Sequence, residues 1–93
     1  MHATVYHRDT KDPFELSPQQ LAEELTSFLE SDSPRASYVE ATMMQHGISA
    51  AIRWYVTMTK GLIFEDTCDM PEAFCRAAKQ HFLNLRHNRI SYD

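Results

Sequence analysis

Apolar residues recur along this chain at three- and four-residue intervals in four stretches, separated by short polar breaks. Leu21, Leu25, Phe28 and Leu29 repeat at helical spacing and predict a helix over 18–30. Ala36, Val39, Met43 and His46 make a second stripe and predict a helix over 34–46, with Tyr38 pointing away from it. The third stretch predicts a helix over 49–60 with a wide apolar arc. Ile48, Ala51, Ile52, Tyr55 and Met58 form its centre, Trp54 and Val56 its flanks, and Ser49, Arg53, Thr57 and Lys60 its polar strip. A helix this apolar is expected at the centre of a small assembly. The fourth stretch predicts a helix over 70–88. Phe74, Ala77, Ala78, His81, Phe82 and Leu85 share one face, and Arg76, Lys79, Leu83, Arg86 and His87 the other.

The breaks between stripes carry capping chemistry. Ser17-Pro18-Gln19-Gln20, Ser33-Pro34 and Asp69-Met70-Pro71-Glu72 each place an oxygen acceptor before a helix and a proline in its first turn. Leu16 and Leu21 bracket the first cap as a hydrophobic staple. Gly47 and Gly61 stop the second and third helices. Outside the helices, Ala3–His7 is β-prone and reads as a short edge strand, and Arg8–Pro13 reads as charged turn. Leu62-Ile63-Phe64 reads as a short strand or extended connection, and Ile90-Ser91-Tyr92 as a short terminal strand pairing with Val5 or Ile63. No internal repeat or low-complexity segment occurs. The expected fold is mainly α: one domain over 1–93, a small four-helix bundle with short β segments at the termini.

Composition sharpens this picture. Ninety-three residues with 43% apolar content and ten aromatics suit one packed core, burying about two-thirds of the unfolded surface. The net charge of −4 is uneven: residues 1–46 hold eight acids and three bases, residues 47–93 five acids and six bases. Overall acidity argues against non-specific nucleic-acid binding but leaves room for a basic patch on the last helix. Two cysteines, Cys68 and Cys75, make no disulfide framework and point to a reducing, cytoplasmic setting. Met1–Arg8 has no apolar segment of the signal-peptide kind, and Ile48–Met58 is too short to cross a bilayer, so no membrane association is expected.

Candidate chemistry is sparse. Six, five and five residues intervene between Cys68, Cys75, His81 and His87 in turn, unlike the close pairs of zinc sites, so neither metal nor cofactor is expected. Cys75 reads as core filling. His81, in the middle of an apolar stripe, is expected to be a core histidine with its ring nitrogens satisfied. The carboxylates read as caps and solvated faces, and no glycine-rich loop is present to cradle phosphate. No catalytic residue is assigned, and the reading leans away from an enzyme.

Two local patterns supply alternatives. The stretch before and after Gly47 resembles a helix-turn-helix, in which 49–60 would enter the major groove with Arg53, Thr57 and Lys60 facing DNA. Arg76-Ala77-Ala78-Lys79-Gln80-His81 resembles the R-x4-H motif of HEPN-type ribonucleases, which are all-helical and usually dimeric. That resemblance implies RNA cleavage by Arg76 and His81 across a dimer cleft.

The first expectation lies instead on the surface. Tyr38, Leu83 and, at its margin, Trp54 point away from the core, and Leu83 is rimmed by Arg76, Lys79, Arg86 and His87. Tyr, Trp and Arg are the residue types that dominate interface energies. The chain is therefore read as a small cytoplasmic protein-binding regulator or inhibitor that binds another protein, with a homodimer as a further option. Phage and plasmid accessory proteins are the analogous class. Tyr38, Trp54, Arg76, Lys79, Leu83 and Arg86 are its candidate partner-binding residues.

Overall fold

The computed structural model describes residues 1–10, 12–65 and 69–90, with Arg89 and Ile90 as backbone alone. The described chain is mostly helical, with four helices and a small sheet. In order these are β1 (Ala3–His7), β2 (Pro13–Leu16), α1 (Pro18–Leu29), α2 (Pro34–His46), α3 (Ile48–Trp54), a π-helical turn (Tyr55–Thr59), β3 (Leu62–Phe64) and α4 (Glu72–Ile90).

The sheet is antiparallel in the order β2-β1-β3, so Ala3–His7 is its central strand, paired on both sides, rather than the edge strand its sequence suggests. Ala3 faces Leu16 and Val5 faces Phe14 in one ladder; Val5 faces Phe64 and His7 faces Leu62 in the other. Directly paired residues share a face. One face therefore carries Val5, Leu16, Leu62 and Phe64, all buried, while Thr4, Tyr6 and Glu15 lie on the other. β2 begins at Pro13, the last residue of the stretch that reads as charged turn, and the residue pattern assigns no element to Phe14 and Glu15. Four residues beginning with proline are too short a pattern to signal a strand alone; pairing with Val5 defines it, and Pro13 sits where an edge strand tolerates a missing N–H. The sheet is more than terminal trim, since it supplies a wall of the same core that the helices fill.

Among the helices, α1 packs chiefly on α4, while α3 lies against both α2 and α4. Two of the three caps form as expected: Ser17 Oγ accepts from Gln20 N–H (3.0 Å) and Ser33 Oγ from Arg35 N–H (3.1 Å). Leu16 and Leu21 are both fully buried, as a staple requires. The third start differs. α4 begins at Glu72, Cys75 N–H donates to the Pro71 carbonyl (3.0 Å), and Asp69 Oδ1 accepts from the neighbouring Met70 N–H (3.2 Å). Pro71 thus precedes the helix rather than opening its first turn.

The buried faces are rotated slightly from those expected. On α4 the buried set is Phe74, Cys75, Ala78 and Phe82, which leaves His81 half-buried at the edge rather than in the core. On α1 the face includes Thr26, whose hydroxyl is satisfied by the Ala22 carbonyl (2.8 Å). His46, expected on the buried stripe of α2, is exposed. α3 stops being α-helical at Trp54. Lys60 N–H donates to the Tyr55 carbonyl five residues back (3.0 Å), and the extra residue in this turn swings later side chains around the axis. Val56 is consequently buried, and Met58, expected at the centre of the arc, is 50% exposed. Ile90 ends α4 rather than starting a strand; Ser91 and Tyr92, like Cys68, lie outside the described residues. No helix among the described residues is long and apolar enough to cross a membrane.

Candidate functional site

The joint between α2 and α3 is a single residue, Gly47. Its N–H donates to the Met43 carbonyl (2.9 Å) and its own carbonyl accepts from Ala51 N–H (3.2 Å), so one residue closes one helix and opens the next. The two helices pack together, and Tyr38 on α2 stacks on Trp54 of α3 with ring centroids 4.8 Å apart and planes 25° from parallel. Tyr38 remains 59% exposed. The π turn presents Met58 four residues beyond Trp54, and Arg35 Nη1 donates to the Met58 carbonyl (2.9 Å) from one turn before Tyr38. Arg35, Tyr38, Trp54 and Met58 therefore share one surface across two helices. Sequence reasoning singled out Tyr38 and Trp54 but neither Arg35 nor Met58. A π turn leaves no marker in the residue pattern.

The other four candidates lie on α4. Arg76 pairs with Glu72 one turn back (3.3 Å) in full exposure, where such a pair contributes only a few tenths of a kcal/mol. Arg86 lies over the Phe82 ring (5.5 Å), donates to Met43 Sδ (3.1 Å) and faces Glu40 at 4.0 Å. It serves as a strap between α4 and α2. Leu83 is 38% exposed and Lys79 half-buried. The basic rim expected around Leu83 is thus partly neutralised from within. Tyr38 and Glu40 are two steps apart, about 200° around α2. Tyr38 faces Trp54 of α3 and Glu40 faces Arg86 of α4, so the six candidates fall into two groups rather than one patch.

The residues of the alternative readings have internal work. Arg53 Nη1 donates to the Met70 carbonyl (2.9 Å) and Lys60 pairs with Glu24, leaving Thr57 as the exposed member of the DNA-facing trio. A helix-turn-helix also joins its helices through three or four residues, where this chain has one. Of the ribonuclease pair, Arg76 is exposed and bound to Glu72 while His81 is half-buried. Cys75 is buried, its thiol directed at the Ser49 carbonyl (3.9 Å). Among the described residues, no three His, Cys, Asp or Glu side chains gather where a metal ion could bind.

A second feature lies between α1 and the π turn, a groove of about 500 Å³ floored by Phe28 and Tyr55, whose ring centroids are 5.1 Å apart. At its rim Glu24 Oε1 is shielded from water and faced by Lys60 Nζ at 2.5 Å, while Glu24 Oε2 accepts from Gln20 (3.2 Å). Burial pushes the Tyr55 hydroxyl up to about 12, and the Glu24 charge adds to the rise. A folded-state value above the unfolded one means the folded chain holds this proton longer. Stability is therefore unaffected by Tyr55 below pH 10 and falls between about pH 10 and 12. Denaturant midpoints measured across that window should decline in the natural chain and less so in Tyr55→Phe; equal declines would refute the assignment.

Set beside known proteins, the chain matches no family model, and neither a curated protein nor a solved structure is significantly similar to it.

Proposed function

We propose that this chain is a protein-docking module, a small cytoplasmic regulator or inhibitor of the kind phages and plasmids use, with its four helices taken as a small bundle that holds the docking surface rigid. The observation that carries this reading is the stacked Tyr38–Trp54 pair beside the exposed Met58. Two aromatic rings fixed against each other offer a large contact area with little side-chain freedom left to lose, which is what interface anchors provide. Met58 adds an adaptable apolar surface.

The test is a photo-crosslinking residue placed at Tyr38 and, as a control, at Thr4 on the outer face of the sheet. Crosslinking in the native cell should give a discrete protein adduct from position 38 and none from position 4. Tyr38→Ala should weaken the recovered complex roughly thirtyfold, the size of an interface anchor, with the thermal midpoint nearly unchanged. Discrete adducts equally from both positions, or from neither, would overturn the reading; an adduct with a second copy of this chain would make the partner a homodimer.

A further inference from the structure

Resting on that docking reading, we infer that the α2–α3 surface takes an acidic amphipathic segment of its partner, with Arg35 as a preset carboxylate receptor beside the Tyr38–Trp54 stack. The chain carries 13 acids, yet from Ala41 to Phe64 there is no Asp or Glu, and Pro34–Val39 has none either. The segment that carries the aromatic pair thus holds one acid, Glu40, turned toward Arg86, and of its bases Lys60 is paired with Glu24 while Arg35 lies one turn from Tyr38.

The way these cations are held separates them. Lys60, Arg76 and Arg86 each face a carboxylate of this chain. Arg35 and Arg53 are instead fixed by backbone carbonyls, those of Met58 and Met70, and no ion pair among the described residues reaches either. A guanidinium has five N–H donors, so one carbonyl bond orients the group and leaves donors free. That is the arrangement a bidentate carboxylate contact needs: the ordering is done before the partner arrives. Arg35 stands exposed one turn before Tyr38 on the same side of α2, so apolar and acidic groups on one face of a partner helix would meet both kinds of receptor, whereas Arg53, about 100° around α3 from Trp54, is turned to Met70.

Trp54 is the single tryptophan and reports from the surface itself. Two synthetic peptides of four helical turns are compared, with leucine at every third or fourth position and either glutamate or lysine elsewhere. The glutamate peptide should shift Trp54 emission saturably, and the lysine peptide should not. Arg35→Glu should weaken the glutamate peptide about tenfold or more. The substitution suits the first turn of α2, where an acid is favoured, so folding is retained. Arg8→Glu, in the turn after β1, should leave affinity within about twofold. Equal binding of both peptides, no binding of the glutamate peptide, or an unchanged Arg35→Glu would overturn the inference. So would a single-stranded oligonucleotide that moves Trp54 emission as strongly, since the site would then read polyanions. A Tyr38 adduct with a protein whose contact surface is not acidic would remove this inference and leave the docking reading standing.

Discussion

Phe82→Ala is expected to destabilise this chain by about 3–5 kcal/mol, the range for truncating a fully buried phenylalanine. Phe82 is wholly inaccessible on α4, in the core shared by all the helices and the sheet. The loss has two parts. Removing the ring forfeits its transfer free energy and leaves a cavity, because a core built from all four helices and the sheet cannot collapse from one side. It also removes the seat of Arg86, whose guanidinium lies 5.5 Å from the ring centre while reaching Met43 and Glu40 on α2. A domain of this length has a total stability of roughly 5–14 kcal/mol, so the variant stands close to the folding threshold. At about 4–8 °C per kcal/mol the thermal midpoint should fall by at least about 12 °C. The neighbouring residue is the control: Leu83 is 38% exposed, and Leu83→Ala should cost under about 1 kcal/mol. Denaturant unfolding of both decides the matter. Equal losses at 82 and 83 would mean that α4 is rotated about its axis from the orientation described.

The two residues also show what the sequence makes legible. That α4 exists, and that Phe74, Ala78 and Phe82 face inward, follows from spacing alone, because burial of a stripe is a demand every amphipathic helix makes. Which stripe edge is covered does not follow. His81 and Cys75 lie on opposite borders of the apolar face, and the neighbours of α4 decide between them. Cys75 is covered, its thiol directed at Ser49 of α3, and His81 is left half-open. Caps at Ser17 and Ser33 were readable because a serine, a proline and the following amides lie within four residues of one another. β2 was not, since its definition comes from Val5 across the hairpin rather than from Pro13–Leu16 themselves.

The candidate surface divides in the same way. Tyr38 pointing off its stripe was visible in the helical spacing, but its partner was not, because stacking on Trp54 depends on how α2 returns along α3. Met58 was misplaced for a related reason. Counting at α-helical spacing carries it into the core, and only the five-residue hydrogen bond from Lys60 to Tyr55 turns it out. The same turn carries an internal cost: Thr59 Oγ1 is buried with no hydrogen-bond partner among the described residues, worth about 1–3 kcal/mol against the fold. Irregular helix geometry held in place despite such a cost is found often at working sites. Here it follows Trp54 directly along the chain and contains Met58.

Gly47→Ala is expected to lower stability by about 1–3 kcal/mol without touching another side chain. Gly47 has φ 95° and ψ 168°, a conformation that residues with a Cβ almost never adopt. A Cβ added there would meet nothing within 4 Å, so crowding contributes nothing and the whole loss is backbone strain. Gly61 makes the contrast: at φ 63° its added Cβ would come within 3.3 Å of the Arg8 guanidinium, a flexible side-chain end that can move aside. Chirality supplies the decisive comparison. D-Alanine at position 47, introduced by chemical synthesis, favours positive φ and restricts the unfolded chain, so it should match or exceed glycine by up to about 1 kcal/mol. L-Alanine should also red-shift the emission of Trp54, because the joint that sets α2 against α3 is what holds Tyr38 over the indole, whereas D-alanine should leave the spectrum unchanged. If both enantiomers destabilise equally, the positive φ at 47 is wrong, and with it the route by which one residue builds the aromatic surface.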